Sequence, residues 1–210
     1  MRSLRSTDSL IGGAHLYSTV TSYLQHTVAP QLLRGAIAEE EGGVFSAAAG
    51  LTEMAGWMAH DAGQDQVADQ HFRRALSLAR AGHDHQLGAH ILASLSHLAL
   101  HNREPDKAIA FAMQGYERLP VGPPHPGVEA QLLAVEARGH AALHQDDRCM
   151  KRLREAERAL ATAPSEPRSP WVSEFDEASL ATEAARCFHL LGQAGTAQRQ
   201  AERGDRTTAA

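Results

Sequence analysis

At 210 residues the chain is long enough for one domain with an independently stable core, and its small aromatic share beside abundant Ala and Leu suits close-packed helices. A formal net charge of -5 leaves no broad basic surface to neutralise phosphates, which argues against direct nucleic-acid binding. No β-branched alternating run calls for a sheet, and no apolar run is long enough for a signal peptide or a membrane span. The class read from these facts is an all-α, cytoplasmic protein. Cys149 and Cys187, the two cysteines, fall on predicted helices and read as buried free thiols.

In chain order, residues 1–12 read as loose. A helix is expected from Ala14 to Ala29, striped by Leu16, Val20, Tyr23, Leu24 and Val28 and stopped by Pro30. A second helix is expected from near Ile37, continuing through Gly42, Gly43 and Gly50 into the stretch Ala48–Ala81. That stretch reads as two helices folded back on each other. Leu51, Met54, Ala55, Met58 and Ala59 stripe the first, and Val67, Ala68, Phe72, Ala75, Leu76 and Ala79 the second. Asp61-Ala62-Gly63 stops the first helix, because Gly supplies the left-handed residue that ends one.

A second pair follows at Leu87–His101 and Pro105–Leu119, then the stiff connection LPVGPPHPG. The third pair is expected at Val128–His144 and Asp147–Ala163. After PSEPRSP, Ser169 reads as an N-cap and Pro170 as the first helical residue of a helix beginning at Trp171. A short last helix runs from Ala194 to near Gly204. The basic run Lys151, Arg152, Arg154 and Arg158 is interleaved with Glu155 and Glu157 and reads as a solvated, ion-paired helix face.

Small residues stand where the helices of the central pair must touch: Gly56 on the first, Ala68 and Ala75 on the second, with Phe72 filling the gap. This arrangement resembles a tetratricopeptide unit. With Ala68 as reference, Ala108, Cys149 and Ala197 fall at equivalent places. Gly56, Ser96, Ala137 and Ala185 each precede their reference by the same interval, and Ala75, Gly115, Ala156 and Gly204 follow at another. The spacing of about forty residues exceeds the standard period. The fold expected is one domain over residues 1–210, a tetratricopeptide-like solenoid of antiparallel helix pairs. N-terminal helices occupy residues 1–44, and about four degenerate repeats occupy 45–204. Its core is expected to include Met54, Met58, Phe72, Leu76, Leu95, Leu132, Leu153, Phe175 and Phe188.

GWMAHDAG, HFRRALSLAR, AHILASLSHLAL, VEARGHAAL and WVSEFDEASLATEAARCFHLLG together resemble the C-terminal region of bacterial Xre-type helix-turn-helix regulators that carry degenerate tetratricopeptide repeats. The resemblance runs from about Asp8 to Gly204. It implies a sensory or partner-binding module that regulates transcription. The residues before the first predicted helix are too few for the helix-turn-helix domain that precedes this region in such regulators. The sequence therefore reads as a separated effector region or a stand-alone relative, without direct nucleic-acid contact of its own and with a helix-turn-helix protein as a candidate partner.

On the first helix of each repeat, the inward positions are read as Glu53, Trp57, His60, Asp61, His90, His97, His101, Gln131, Arg138, Ser179, Thr182, Arg186 and His189. Of these, Glu53, Trp57, His60, His90, His97, Arg138 and Arg186 form the candidate ligand site for a small molecule or peptide. Trp57 offers a stacking plate, while Arg138 and Arg186 suit a carboxylate or phosphate. Trp57, His97, Arg138 and Arg186 share one repeat position and are expected to face one cavity. The alternative is a scaffold for another protein's helix or tail.

Thirteen histidines include the i, i+4 pairs His97/His101 and His140/His144, yet no HExxH and no cysteine pair accompanies them, so no metal site and no cofactor is assigned. No phosphate loop, GxSxG or nucleophile–histidine set points to an enzyme. The thin last helix leaves Phe188 and Leu191 poorly covered, which suggests a homodimer through that end or through the N-terminal helix.

Overall fold

The computed structural model describes residues 13–28, 30, 41–162 and 169–208. Within them the chain is all α, with nine α-helices and no strand. They are α1 (Gly13–Tyr23), α2 (Glu41–Asp61), α3 (Asp65–Ala81), α4 (His85–His101), α5 (Pro105–Arg118), α6 (Pro126–Ala142), α7 (Asp146–Leu160), α8 (Glu177–Leu190) and α9 (Ala194–Thr208). A π turn, Leu24–Val28, extends α1, and a 3-10 turn, Leu119–Val121, follows α5. Among the described residues no helix is long and apolar enough to cross a membrane.

Helices pack in neighbouring pairs, α2 on α3, α4 on α5, α6 on α7 and α8 on α9. Loops at residues 62–64, 82–84, 102–104, 143–145 and 191–193 are short enough to force antiparallel neighbours. All five use one device. The middle residue is left-handed, from φ 53° at His83 to 73° at Gly63 and Gly192, and Arg103 and His144 share the conformation. In each, that residue's N–H bonds the carbonyl three residues back and the next N–H reaches the carbonyl five back, as in Gly63 to His60 and Gln64 to Ala59. This Schellman arrangement satisfies the carbonyls that a helix end leaves open.

The small positions serve close approach. A Cβ on Gly56 would stand 2.6 Å from the Phe72 ring, one on Gly115 2.5 Å from Leu132, and one on Gly82 2.9 Å from the Gly42 carbonyl. These glycines therefore sit inside or between helices without breaking them, and α2 runs unbroken through Gly42, Gly43, Gly50 and Gly56. Reference residues Ala68, Ala108 and Cys149 are fully buried, whereas Ala197, in the last described pair, is partly buried. Met54, Met58, Phe72, Leu76, Leu95, Leu132, Leu153 and Phe188 are buried as expected, and Phe175 is partly so. Cys149 and Cys187 are free and buried; hydrogen bonding to Cys149, then burial, pushes the Cys187 thiol up.

The expected helix start near Ile37 lies outside the described residues. Two expectations change. The helix expected at Trp171 begins instead at Glu177, where Asp176 caps it by accepting from the Ser179 N–H at 2.8 Å. Residues 169–176 form a strap across α2, α4 and α6, held by Ser169 N–H to Gln86 Oε1 at 2.7 Å and Ser169 Oγ–H to Asp84 Oδ2 at 2.7 Å. Finally, α9 runs past Gly204 to Thr208, because Gly204 lets it lie against the Ala178 carbonyl, 3.3 Å from a Cβ built there. Phe188 is buried and Leu191 partly so.

Candidate functional site

Helices α2, α4, α6 and α8 share one face, and equivalent residues on successive helices touch. Ser94 Oγ donates to Glu53 Oε1 at 2.8 Å, His90 Nδ1 stands 2.8 Å from Gln131 Oε1, and Arg138 Nη2 donates to His97 Nδ1 at 3.1 Å. Each pair is separated by 41 residues, within one residue of the interval between the small residues of the first three repeats. Polar side chains on this face thus form a ladder, and two parts of it have different fates.

The part nearer α2 is sealed. Glu53 is fully buried; its Oε1 accepts from Trp57 Nε1 at 3.2 Å and from Ser94, and His90 Nε2 lies 3.3 Å away. Ser173 of the strap reaches His90 Nε2 at 3.0 Å. Trp171 lies on Gly50, where a Cβ would meet its ring at 2.7 Å. Glu53 and His90 are therefore brought together as expected, but under a roof made by the chain itself.

The part nearer α8 is open. A cavity of about 1060 Å³ is walled by α4, α6, α8 and α9 and by the left-handed Arg103 of the α4–α5 loop. His97, Arg138 and Arg186 line it, with His101, His144 and His189; Leu100, Pro105, Ala142, Ala185 and Leu190 supply apolar wall. Glu183 stands behind, its Oε1 taking Arg138 Nη1 at 3.3 Å and Arg186 Nη1 at 3.1 Å. Arg103, Arg138 and Arg186 against Glu183 and Asp205 leave one net positive charge, three minus two. Since a guanidinium only donates, Arg138 fixes His97 Nδ1 as the acceptor and leaves Nε2 with the hydrogen. Burial, then the charge of Arg138, lowers the His97 pKa to about 3, so its ring is neutral at physiological pH.

Of the four residues expected to share a cavity, His97, Arg138 and Arg186 do so and Trp57 does not. Its ring packs at 5.4 Å from Phe72 and 5.2 Å from His97, centroid to centroid, closing the α2–α4 contact behind the wall. Arg138 is also not the surface-groove arginine that its position suggested. It is 7% exposed, and burial lowers its pKa against the pull of Glu183. Arg186, half exposed, is the accessible cation of the pair. His60, near the end of α2, does not line the cavity but packs behind two residues that do, its ring 5.9 Å from His97 and 4.7 Å from His101, with Nδ1 2.7 Å from Asp65 Oδ1.

The basic run on α7 is ion-paired, Arg152 holding Glu136 at 2.9 Å and Glu155 at 2.8 Å. Sequence reasoning missed Arg103 and the α9 wall, Ala197, Gln198, Ala201 and Asp205, because inward positions were counted only on first helices. Comparison with family models, with curated proteins and with solved structures finds no match. The chemistry must come from the site itself. That chemistry is an apolar hollow with one excess positive charge and several imidazoles, suited to an amphipathic anion.

Proposed function

We propose that this chain is an effector-sensing module whose helix pairs are degenerate tetratricopeptide repeats in a solenoid, and that it binds a small amphipathic carboxylate in the cavity between α4, α6, α8 and α9. The single observation that carries this reading is the cavity, whose volume of about 1060 Å³ is at the upper end of the usual small-ligand range. Its walls join an apolar stretch to Arg186 and Arg103, the chemistry of a chain ending in an acid. The strap favours a small ligand over a docked helix or tail, because Trp171 and Ser173 occupy the face where a long peptide would have to continue. The resemblance to Xre-type regulators supplies the role: ligand occupancy alters contact with a helix-turn-helix partner in the cytoplasm and so alters transcription.

Thermal melting with medium-chain fatty acids and their matched alcohols tests the reading. The acids raise the melting temperature, the alcohols do so much less, and Arg186→Met removes the difference. Equal responses to acid and alcohol, or none to either, overturn it.

A further inference from the structure

The histidines that sequence spacing could not join into a metal site are joined by the fold. We infer that His60, Asp65 and His101 bind a divalent transition-metal ion of the zinc type at the edge of the cavity, leaving one coordination position open. This site goes beyond the proposed effector pocket and does not require it.

The three residues come from two helix pairs. His60 ends α2, Asp65 begins α3, and His101 ends α4. One donor atom from each lies within 4.8 Å of the others. The carboxylate is the hub: Oδ1 stands 2.7 Å from His60 Nδ1 and Oδ2 stands 3.5 Å from His101 Nε2. The imidazoles meet edge to face at 4.7 Å between centroids, so both present nitrogens to the same small volume. Two imidazoles and a carboxylate are a donor set that zinc and its neighbours in the first transition row accept.

Two observations separate this from an ordinary ion pair. Among the described residues no lysine or arginine lies within salt-bridge distance of Asp65, although arginines hold Asp69, Glu136 and Glu183 elsewhere. The turn itself does not need a carboxylate either. The loop after α6 makes the same kind of turn with His140 Nδ1 2.8 Å from Gln145 Oε1, one position earlier relative to the left-handed residue and with a neutral amide in place of the carboxylate.

Zinc–nitrogen bonds of about 2.0–2.1 Å put neighbouring donors of a tetrahedron roughly 3.3 Å apart, so the 2.7 Å contact of His60 with Asp65 must open slightly while the wider separations, up to 4.8 Å, close. His101 can supply that movement, since its side chain is 58% exposed. His60 is held from behind by Trp57 at 5.8 Å and by His97 at 5.9 Å, ring to ring, which orients it without offering a fourth ligand. His101 also lines the cavity, so the open position faces water or an incoming group there.

Purified protein, stripped with chelator and dialysed against Co²⁺, tests the inference through the ion's visible absorption. The wild type takes up one equivalent of Co²⁺ with a new visible band that one equivalent of Zn²⁺ abolishes. His101→Gln and Asp65→Asn each weaken Co²⁺ binding at least tenfold, while His189→Gln, a cavity-wall control, leaves it unchanged. His101 is exposed, so loss of binding in that variant with an unchanged apo melting temperature cannot reflect misfolding. No stoichiometric uptake by the wild type overturns the site. So does uptake that both triad variants retain.

Discussion

The two parts of the shared helix face start from the same materials and end differently. Near α2, Glu53, His90 and Ser94 are polar groups turned inward, and the strap at 169–176 helps to make them buried structure. Near α8, His97, Arg138 and Arg186 occupy corresponding places but line an open cavity, with Arg138 buried against Glu183 and Arg186 half exposed. The ladder of contacts is the same in both. What separates a structural polar network from a candidate binding site is therefore the cover and not the residue types.

Three substitutions break or sharpen that contrast. Glu53→Ala should cost about 3–5 kcal/mol in urea unfolding, because the buried donors of Trp57, Ser94 and His90 lose their common acceptor. A loss below 1 kcal/mol would show that the roofed network is slack. Arg138→Met should cost about 3 kcal/mol, the low end for breaking a buried ion pair, since Arg186 still reaches Glu183. Arg186→Met, at a half-exposed position, should cost under about 1 kcal/mol in the same experiment. Similar losses for the two arginines would contradict their different burial.

The acid limb of stability reports on His97. Its pKa drops from 6.5 to about 3 on folding, so between those values the unfolded chain binds a proton that the folded chain refuses. Stability contributed at neutral pH is thus lost as pH falls through about 6.5. From pH 7 to pH 5 the wild type should lose about 2 kcal/mol more than His97→Gln, measured by chemical denaturation at each pH. Parallel curves would place His97 in solvent. One effect is a gain: Arg103→Gly should stabilise by about 1 kcal/mol, because glycine adopts the left-handed turn without steric penalty. The same change removes one cation from the cavity wall, so it should weaken carboxylate binding while raising the melting temperature.

Helix pairs were legible in the sequence because their small residues recur at one spacing and the structure uses them for close contact, as at Gly56 beneath Phe72. The turn at Gly63 was legible for the same reason, since glycine advertises its conformation. The turns at His83, Arg103 and His144 were not marked in this way, because those residues adopt φ > 0 only under the constraint of helices already paired. The strap was hidden by a local signal that lost. Ser169-Pro170 is a good helix start, but burying Trp171 against Gly50 and satisfying His90 through Ser173 outweighed one more turn of helix. Asp65, likewise, carries no mark in sequence that would join it to a histidine of another helix pair.

The strap has a consequence for how the molecule comes apart. A row of helix pairs that touch only their neighbours unravels piecemeal from its ends, each unit with its own local stability. Here Ser169 and Ser173 tie the segment between the third and fourth pairs to the second, across sequence separations of 83 and 85 residues. A loop of that span must close before the Trp171 contact forms, so its sealing comes late in folding and its rupture exposes Gly50, Gln86 and His90 together. Amide protons of α2, α4 and α6 should accordingly exchange as one cooperative block, while those of α9 open on their own.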